Sequence, residues 1–336
     1  MKRRIVIAAV VVAALVAAAG AAKHVIDARP GVDLDELVTR ALSSERSPSY
    51  VARVVTTSKY AGRTLGTTAT VYADGPRQRI EYRDGTGGGT YVIASDREIL
   101  TCLPAQGTVL VGLGSGRISS DAMARLVLEN YRPIFEGKRV VAGRDAYVVL
   151  LVRRNARGTA KKMWIDSEYY TILKSIDYAA SGEPRSEMEV RHIAYGRAIS
   201  PARFAVQGDS KLKVVTVTSP AALRDVGREL GISVNEPCWL PRGYVLEDAS
   251  LFSCQCGCGH KSAQLAYADG LNTISVFQTP ADGSCRSTEC GHAGHGCTML
   301  ESELARVAQV EKRDKTVVVV ADLRPEEARR IAESVR

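Results

Sequence analysis

The 336-residue chain reads as an α+β protein, a curved antiparallel half-barrel sheet with packed helices followed by a smaller α+β domain. Three observations predict this. Between residues 50 and 195, short runs rich in Val, Ile, Thr and Tyr recur, separated by turn signals such as Asp74-Gly75, Asp84-Gly85 and Pro104-Ala105. Few helical patterns interrupt them, and many strands with one or two helices imply a sheet that wraps a helix or encloses an apolar cavity. Near residue 219 a new order of helix, strands and helix begins, over ~115 residues, an ordinary domain size.

The elements follow in order. Residues 33–42 form an amphipathic helix, with Leu34, Leu37, Val38, Ala41 and Leu42 on one face and Asp33 with Glu36 resembling a capping box. Strands are expected at 50–60, 63–73, 78–83, 90–94, 98–103 and 108–113. A helix over 120–130 presents Met123, Leu126, Val127 and Tyr131 on one face, and Met123, Leu126 and Val127 read as core rather than ligand contacts. Strands then follow at 138–141, 146–153, 161–166, 171–178 and 186–195. The first domain spans 32–206. Residues 207–218, polar at the start and without helical period, read as a linker. The second domain, 219–336, opens with a helix capped by Ser219, with Pro220 at its first turn and Gly231 at its end. Strands are expected at 244–246, 263–268, 273–278 and 316–320, and a helix over 325–335 closes the unit.

Ahead of all this lies an export signal. Lys2, Arg3 and Arg4 precede an apolar stretch, and Ala17, Ala19 and Ala21 offer cleavage sites. Residues 1–22 are therefore a signal peptide or, uncut, an N-terminal membrane anchor through residues 5–22. Either way the rest of the chain lies outside the cytoplasm.

Composition narrows the function. Hydrophobic residues at 45% and charged residues at 24% suit a folded globular protein, and 6% aromatics leave the core to Val, Leu, Ile and Ala. The net charge of +8 favours acidic partners or anionic head groups. No basic stripe interleaved with aromatics occurs, so nucleic acid is not an expected partner. The glycine-rich run at 85–89 is followed by no Gly-Lys-Ser/Thr, so it reads as a hairpin loop rather than a phosphate cradle. No Gly-x-Ser-x-Gly elbow is present. His192 lies in a strand near Glu189 and reads as a solvated or cross-strand residue. No catalytic set emerges, and the chain is read as a binding protein rather than an enzyme.

Six of the eight cysteines fall in two bursts. The first is Cys254, Cys256, Cys258 and His260. The second is Cys285, Cys290, His292, His295 and Cys297. Two readings stay open. An exported chain meets an oxidising compartment, where an even number of cysteines forms disulfides. Alternating Cys-x-Cys-x-Cys also puts thiolates on one side of an extended segment, and with the histidines offers a tetrahedral set for Zn²⁺ or a soft site for Cu(I). The histidines argue for metal, since disulfides need none. Oxidation argues against it, since a ligand must stay a thiolate.

Several runs, in their order, resemble the MucB/RseB family of periplasmic sigma-factor regulators. The C-terminal ones are Trp239-Leu240-Pro241-Arg242-Gly243-Tyr244, Tyr267-Ala268-Asp269-Gly270-Leu271, Ile274-Ser275-Val276-Phe277, and residues 317–325 followed by 329–335. In the first unit, residues 97–104 resemble that family's strand before a Pro turn. Met163-Trp164-Ile165-Asp166 with Leu173-Lys174-Ser175 resembles a strand pair shared with LolA-type lipoprotein carriers. The resemblance implies a LolA-like half-barrel with a cavity for acyl lipid or lipoprotein, and a C-terminal domain that contacts a membrane-bound anti-sigma factor, so that ligand binding controls an envelope-stress sigma factor. The Cys/His bursts depart from the family pattern and sit where loops are expected. Two rival readings are a LolA-type lipoprotein or lipid carrier, and a metal- or redox-responsive envelope protein using the Cys/His cluster.

Overall fold

The computed structural model describes residues 31, 33–43, 48–60, 63–83, 89–95, 98–113, 118–155, 158–207, 212–216, 218–220, 222–253, 261–281 and 306–336. Eighteen strands and four α-helices lie within them. The strands form two sheets, of twelve and six strands. The predicted signal or anchor, 1–22, lies outside the described residues. Among the described residues no helix is long and apolar enough to cross a membrane.

The large sheet is built from β1 (Tyr50–Tyr60), β2 (Arg63–Asp74), β3 (Arg77–Tyr82), β4 (Tyr91–Ala94), β5 (Glu98–Leu103) and β6 (Thr108–Leu113), then β7 (Tyr131–Val141), β8 (Arg144–Arg153), β9 (Thr159–Asp166), β10 (Ile172–Tyr178), β11 (Pro184–Tyr195) and β12 (Lys213–Thr216). Their order is β12-β6-β5-β4-β3-β2-β1-β11-β10-β9-β8-β7. The chain therefore meanders from β1 out to β6, crosses to the far edge at β7, and meanders back until β11 pairs with β1. That crossing dictates curvature. Strands spaced ~4.8 Å apart would put β6 and β7 about 48 Å apart in a flat sheet. The connection is a short loop and the helix α2 (Ser120–Asn130). Fully extended loop plus helix reach only about 37 Å. The sheet must curl, as an open half-barrel does.

Alternation along the strands separates two cores. In β8, Val149 and Leu151 join Met163 and Ile165 of β9 against the helices α1 (Leu34–Leu42) and α2, through Leu37, Val38 and Val127. The intervening Ala146, Val148 and Trp164 belong instead to a cluster with Val54, Val71, Ile80, Val92, Leu173 and Met188. Helix α1 starts at Asp33, whose Oδ1 accepts from the amides of Asp35 (2.8 Å) and Glu36 (3.3 Å). Ser119 caps α2 by accepting from Ala122 N. Ser43 Oγ donates to Asp121 Oδ1 at 2.8 Å, which ties the end of α1 to the start of α2.

The small sheet contains β13 (Thr218–Pro220), β14 (Val245–Ser253), β15 (Lys261–Ala268), β16 (Thr273–Pro280), β17 (Arg306–Glu311) and β18 (Lys315–Ala321), in the order β13-β14-β15-β16-β18-β17. Helices α3 (Leu223–Leu230) and α4 (Pro325–Ser334) cover it. One core holds it together, including Val226, Leu265, Ile274, Val276, Val319, Ile331 and Ala332.

Three expectations need correction. The described residues of the segment 207–218 are no free linker. Arg79, only 2% exposed, stacks on the Tyr91 ring and donates to the carbonyls of Arg203 and Ala205 and to Gln207. Gln207 N in turn donates to Tyr91 Oη. β12 then lies parallel on β6, the one parallel pairing of the large sheet among the described residues. Residue 217 alone separates β12 from β13 in the small sheet. The second correction concerns Ser219 and Pro220, which do not cap a helix. They pair with Leu251 and Ser250 as the end of β13, and α3 begins at Leu223 after an uncapped Ala222. Strand pairing has taken backbone groups that the local pattern assigned to a cap; Gly231 does end the helix, at φ 69°. Lastly, the strand expected at 138–141 starts at Tyr131, directly after α2, and passes through a bulge at Gly137, φ 130°.

Candidate functional site

All nine residues of the Cys/His bursts, Cys254 to His260 and Cys285 to Cys297, lie outside the described residues. The strand ends that precede them, Ser253 of β14 and Pro280 of β16, lie at one end of the small sheet. Ser253 pairs with Lys261, and Ser262 Oγ lies 2.8 Å from Thr279 Oγ1, next to the end of β16. Both bursts therefore leave the sheet from neighbouring points. Among the described residues no group of three or more His, Cys, Asp or Glu is placed to hold a metal ion. The two described cysteines are unpaired, Cys102 buried in β5 and Cys238 exposed. Burial pushes the Cys102 thiol up, against a hydrogen bond with Tyr91 and the charge of Arg79.

The site that the structure does assemble is the contact between the sheets, and the sequence reading missed it. It grows from the junction of α2 and β7. Asn130 is the last residue of the helix and Tyr131 the first of the strand. Asn130 Nδ2 donates to Gly243 O at 2.9 Å and to Asp269 O at 3.0 Å. The Tyr131 hydroxyl donates to Asp269 Oδ2, and Asn272 Nδ2 donates to the same hydroxyl at 2.9 Å. Asp269 also shapes its own turn, its Oδ1 accepting from Leu271 N (2.9 Å) and Asn272 N (2.7 Å). Tyr131 is 1% exposed. Burial, reinforced by the Asp269 carboxylate, raises its phenol far above the ordinary range, so it remains a donor at any pH the protein meets. Tyr244 is raised in the same way, by burial and then by Asp269. A buried hydrogen bond to a carboxylate contributes about 1.5–3 kcal/mol.

Two glycines make the approach close. Gly270 has φ 99°, and a Cβ there would sit 2.6 Å from Val127 Cγ2 and 2.7 Å from Val127 N. Gly243, φ 97°, would drive a Cβ into the Asn130 side chain. Leu271 packs against the helix core of the large sheet. Arg185 Nη1 reaches Asp322 Oδ2 at 3.4 Å as a second tie. Gly243-Tyr244 and Asp269-Gly270-Leu271 are thus the runs quoted above for the family resemblance, and they hold the small sheet to the large one. That signal was in the sequence. Its partner residues Asn130 and Tyr131 carried none.

Residues 33–207 match the family model of the MucB/RseB N-terminal domain. The chain belongs to the MucB/RseB family. Three solved structures agree in fold. The crystal structure of MucB in complex with MucA(peri) is similar with a TM-score of 0.61 at 21% identity, covering 90% of this chain and 98% of that one. The Pseudomonas aeruginosa MucA/MucB complex gives 0.60 at 20% identity, over 91% and 99% of the two chains. MucB by itself gives 0.56 at 20% identity, over 92% and 99%. No curated protein sequence matches significantly. The likeness runs through both sheets, whereas the family model stops at the strap that Arg79 and Tyr91 hold.

Proposed function

We propose that this protein is a periplasmic regulator that binds the periplasmic part of a membrane-bound anti-sigma factor and performs no catalysis. On this reading the large sheet is a lipid-binding-type domain that senses acyl lipid or lipoprotein, the small sheet is the C-terminal domain, and their ligands together control an envelope-stress sigma factor. The observation that carries the reading is the family match over 33–207, joined to a fold likeness that continues through the small sheet of a MucB solved with MucA(peri). A two-sheet body with a built joint suits a binding switch, whose two states are biased by differential affinity for ligands. The curled sheet and its long apolar cluster support the lipid half of the proposal.

The test is affinity capture of the exported protein from native membranes, with mass spectrometry of what is recovered. A single-span anti-sigma factor that is displaced by added acylated lipid supports the reading. Recovery of lipoproteins or lipid alone overturns it in favour of a carrier of the LolA type.

The Cys/His bursts, from Cys254 to His260 and from Cys285 to Cys297, add a metal or redox input to the proposal, since disulfides alone leave His260, His292 and His295 without a purpose. Metal analysis and thiol counting on the purified protein, with and without reductant, separate the cases. Stoichiometric zinc with free thiols supports a metal input, and metal-free, fully oxidised cysteines refute it.

A further inference from the structure

We propose that the Tyr131–Asp269 joint is a conformational lock that ties the mutual orientation of the two sheets to the seating of α2 in the core of the large one. Asn130 Nδ2 donates to both Gly243 O and Asp269 O beside the small sheet, and Asn130 is the last residue of α2. Tyr131 follows at once, with its ring in the helix core beside Leu37, Val38 and Leu151 and its hydroxyl on Asp269. One turn earlier Val127, fully buried in that same core, leaves no room for a side chain on Gly270. Three contacts with the small sheet therefore come from the last turn of α2 and the first residue of β7.

That helix is held by its packing and, at its last turn, by Arg154 just past β8, whose N donates to Asn130 O at 2.9 Å and whose Nε donates to Leu128 O at 3.1 Å. Its core face rests on α1, and Ser43–Asp121 links the two. Hydrogen bonds weaken steeply beyond ~3.2 Å, so a displacement of α2 by about 1 Å breaks the pair from Asn130. The chain passes from the large sheet at Thr216 to the small one at Thr218, which belong to different ladders. The geometry is that of a latch. With α2 seated the latch is closed, and with α2 displaced the small sheet is free to turn against the large one.

The experiment measures the distance between the sheets in the full chain. Spin labels on p-acetylphenylalanine at Arg197 and Arg313, both exposed, report one on each side of the joint. The unmodified lock gives one narrow distance distribution. Tyr131→Phe keeps the ring packed and removes only the hydroxyl, and it is expected to add a second population. Gly270→Ala is expected to do so more strongly. Leu37→Ala opens a cavity under α1 and α2 and is expected to broaden the distribution too, although the joint residues are intact. Met188→Ala opens a comparable cavity in the other core of the large sheet and is expected to leave the distribution narrow. Narrow distributions for Tyr131→Phe and Leu37→Ala, with folding verified by circular dichroism, overturn the lock. So does equal broadening by Met188→Ala, which would mean general loosening. If Gly270→Ala fails to fold, the other three variants decide.

Discussion

The two sheets solve the same packing problem differently. The small one has a single core, with the helices on one cluster and Ile331, Ala332 and Ala328 of α4 fully buried against Val317 and Val319. The large one divides its interior into a helix core and a longer cluster that runs from β1 to β11. It is also braced by buried ionic clamps. Asp166, fully buried, accepts from Arg144 Nε (2.9 Å) and Nη2 (3.1 Å), from the amides of Glu168 and Tyr169, and from the Tyr195 hydroxyl. Arg144 lies over the rings of Tyr169 and Tyr195, which stack at 4.1 Å. The large half thus combines divided cores with end clamps, where the small half closes helices and sheet on a single cluster, and the division predicts that the large half relaxes more readily around a lost side chain.

Cavity-forming substitutions probe that difference most strongly. Ile331→Ala in α4 is expected to cost about 3–5 kcal/mol, because neighbours locked between helix and sheet cannot close the void. Leu173→Ala, equally buried at a bulge of β10, is expected to cost about 2–3 kcal/mol, because the larger cluster relaxes. Urea unfolding of both variants checks this, and equal costs would erase the distinction between a rigid and an adaptable half.

Asp166 sharpens it next. Burial by itself would raise this carboxyl, but the Arg144 guanidinium and the amides of Tyr169 and Glu168 outweigh burial and hold it below its ordinary 3.8. In acid the unfolded chain then takes up the proton first, so stability rises with pH through that window. The contribution is complete above pH 3.8 and is lost as the pH falls through the lower folded value. Asp166→Asn is expected to cost about 1.5–3 kcal/mol at neutral pH. The gap from wild type should shrink in scanning calorimetry near pH 3, and a gap independent of pH would remove the clamp from the account.

In the small sheet the buried cation is Lys315, whose Nζ donates to Ser233 O, to Gln278 Oε1 (3.1 Å) and to Arg336 O (2.7 Å). Lys315→Met removes those three bonds, while Asn235 still donates to each of the acceptors, and a loss of about 1–2 kcal/mol is expected in thermal unfolding. An unchanged or raised melting temperature would mean that the cost of burying the charge cancels its bonds. The smallest effect belongs to the surface of α4. Arg329→Ala removes an exposed i,i+4 pair with Glu333 and is expected to change stability by less than about 0.5 kcal/mol. A larger loss would show that the groove it lines with Val307 and Val310 is under tension.

Much of this molecule follows from local pattern. Period-two runs place most strands of the large sheet, because a half-buried strand must alternate. The helices 34–42, 120–130 and 325–334 follow from their 3.6-residue stripe. The ordered runs around Tyr244 and Asp269 carried the family, because a close approach restricts residue type to Gly and an acid. What local pattern could not contain is pairing between distant segments. β12 and β13 are only four and three residues long, and the neighbouring β6 and β14 make them strands. Ser219-Pro220 has the chemistry of a helix start and yields to a ladder. Asn130 and Tyr131 look like any helix end, yet they bridge the two sheets, since the residues they bind lie more than a hundred positions further along the chain. Their role exists only once the sheet has curled and brought the end of α2 to the Asp269 turn.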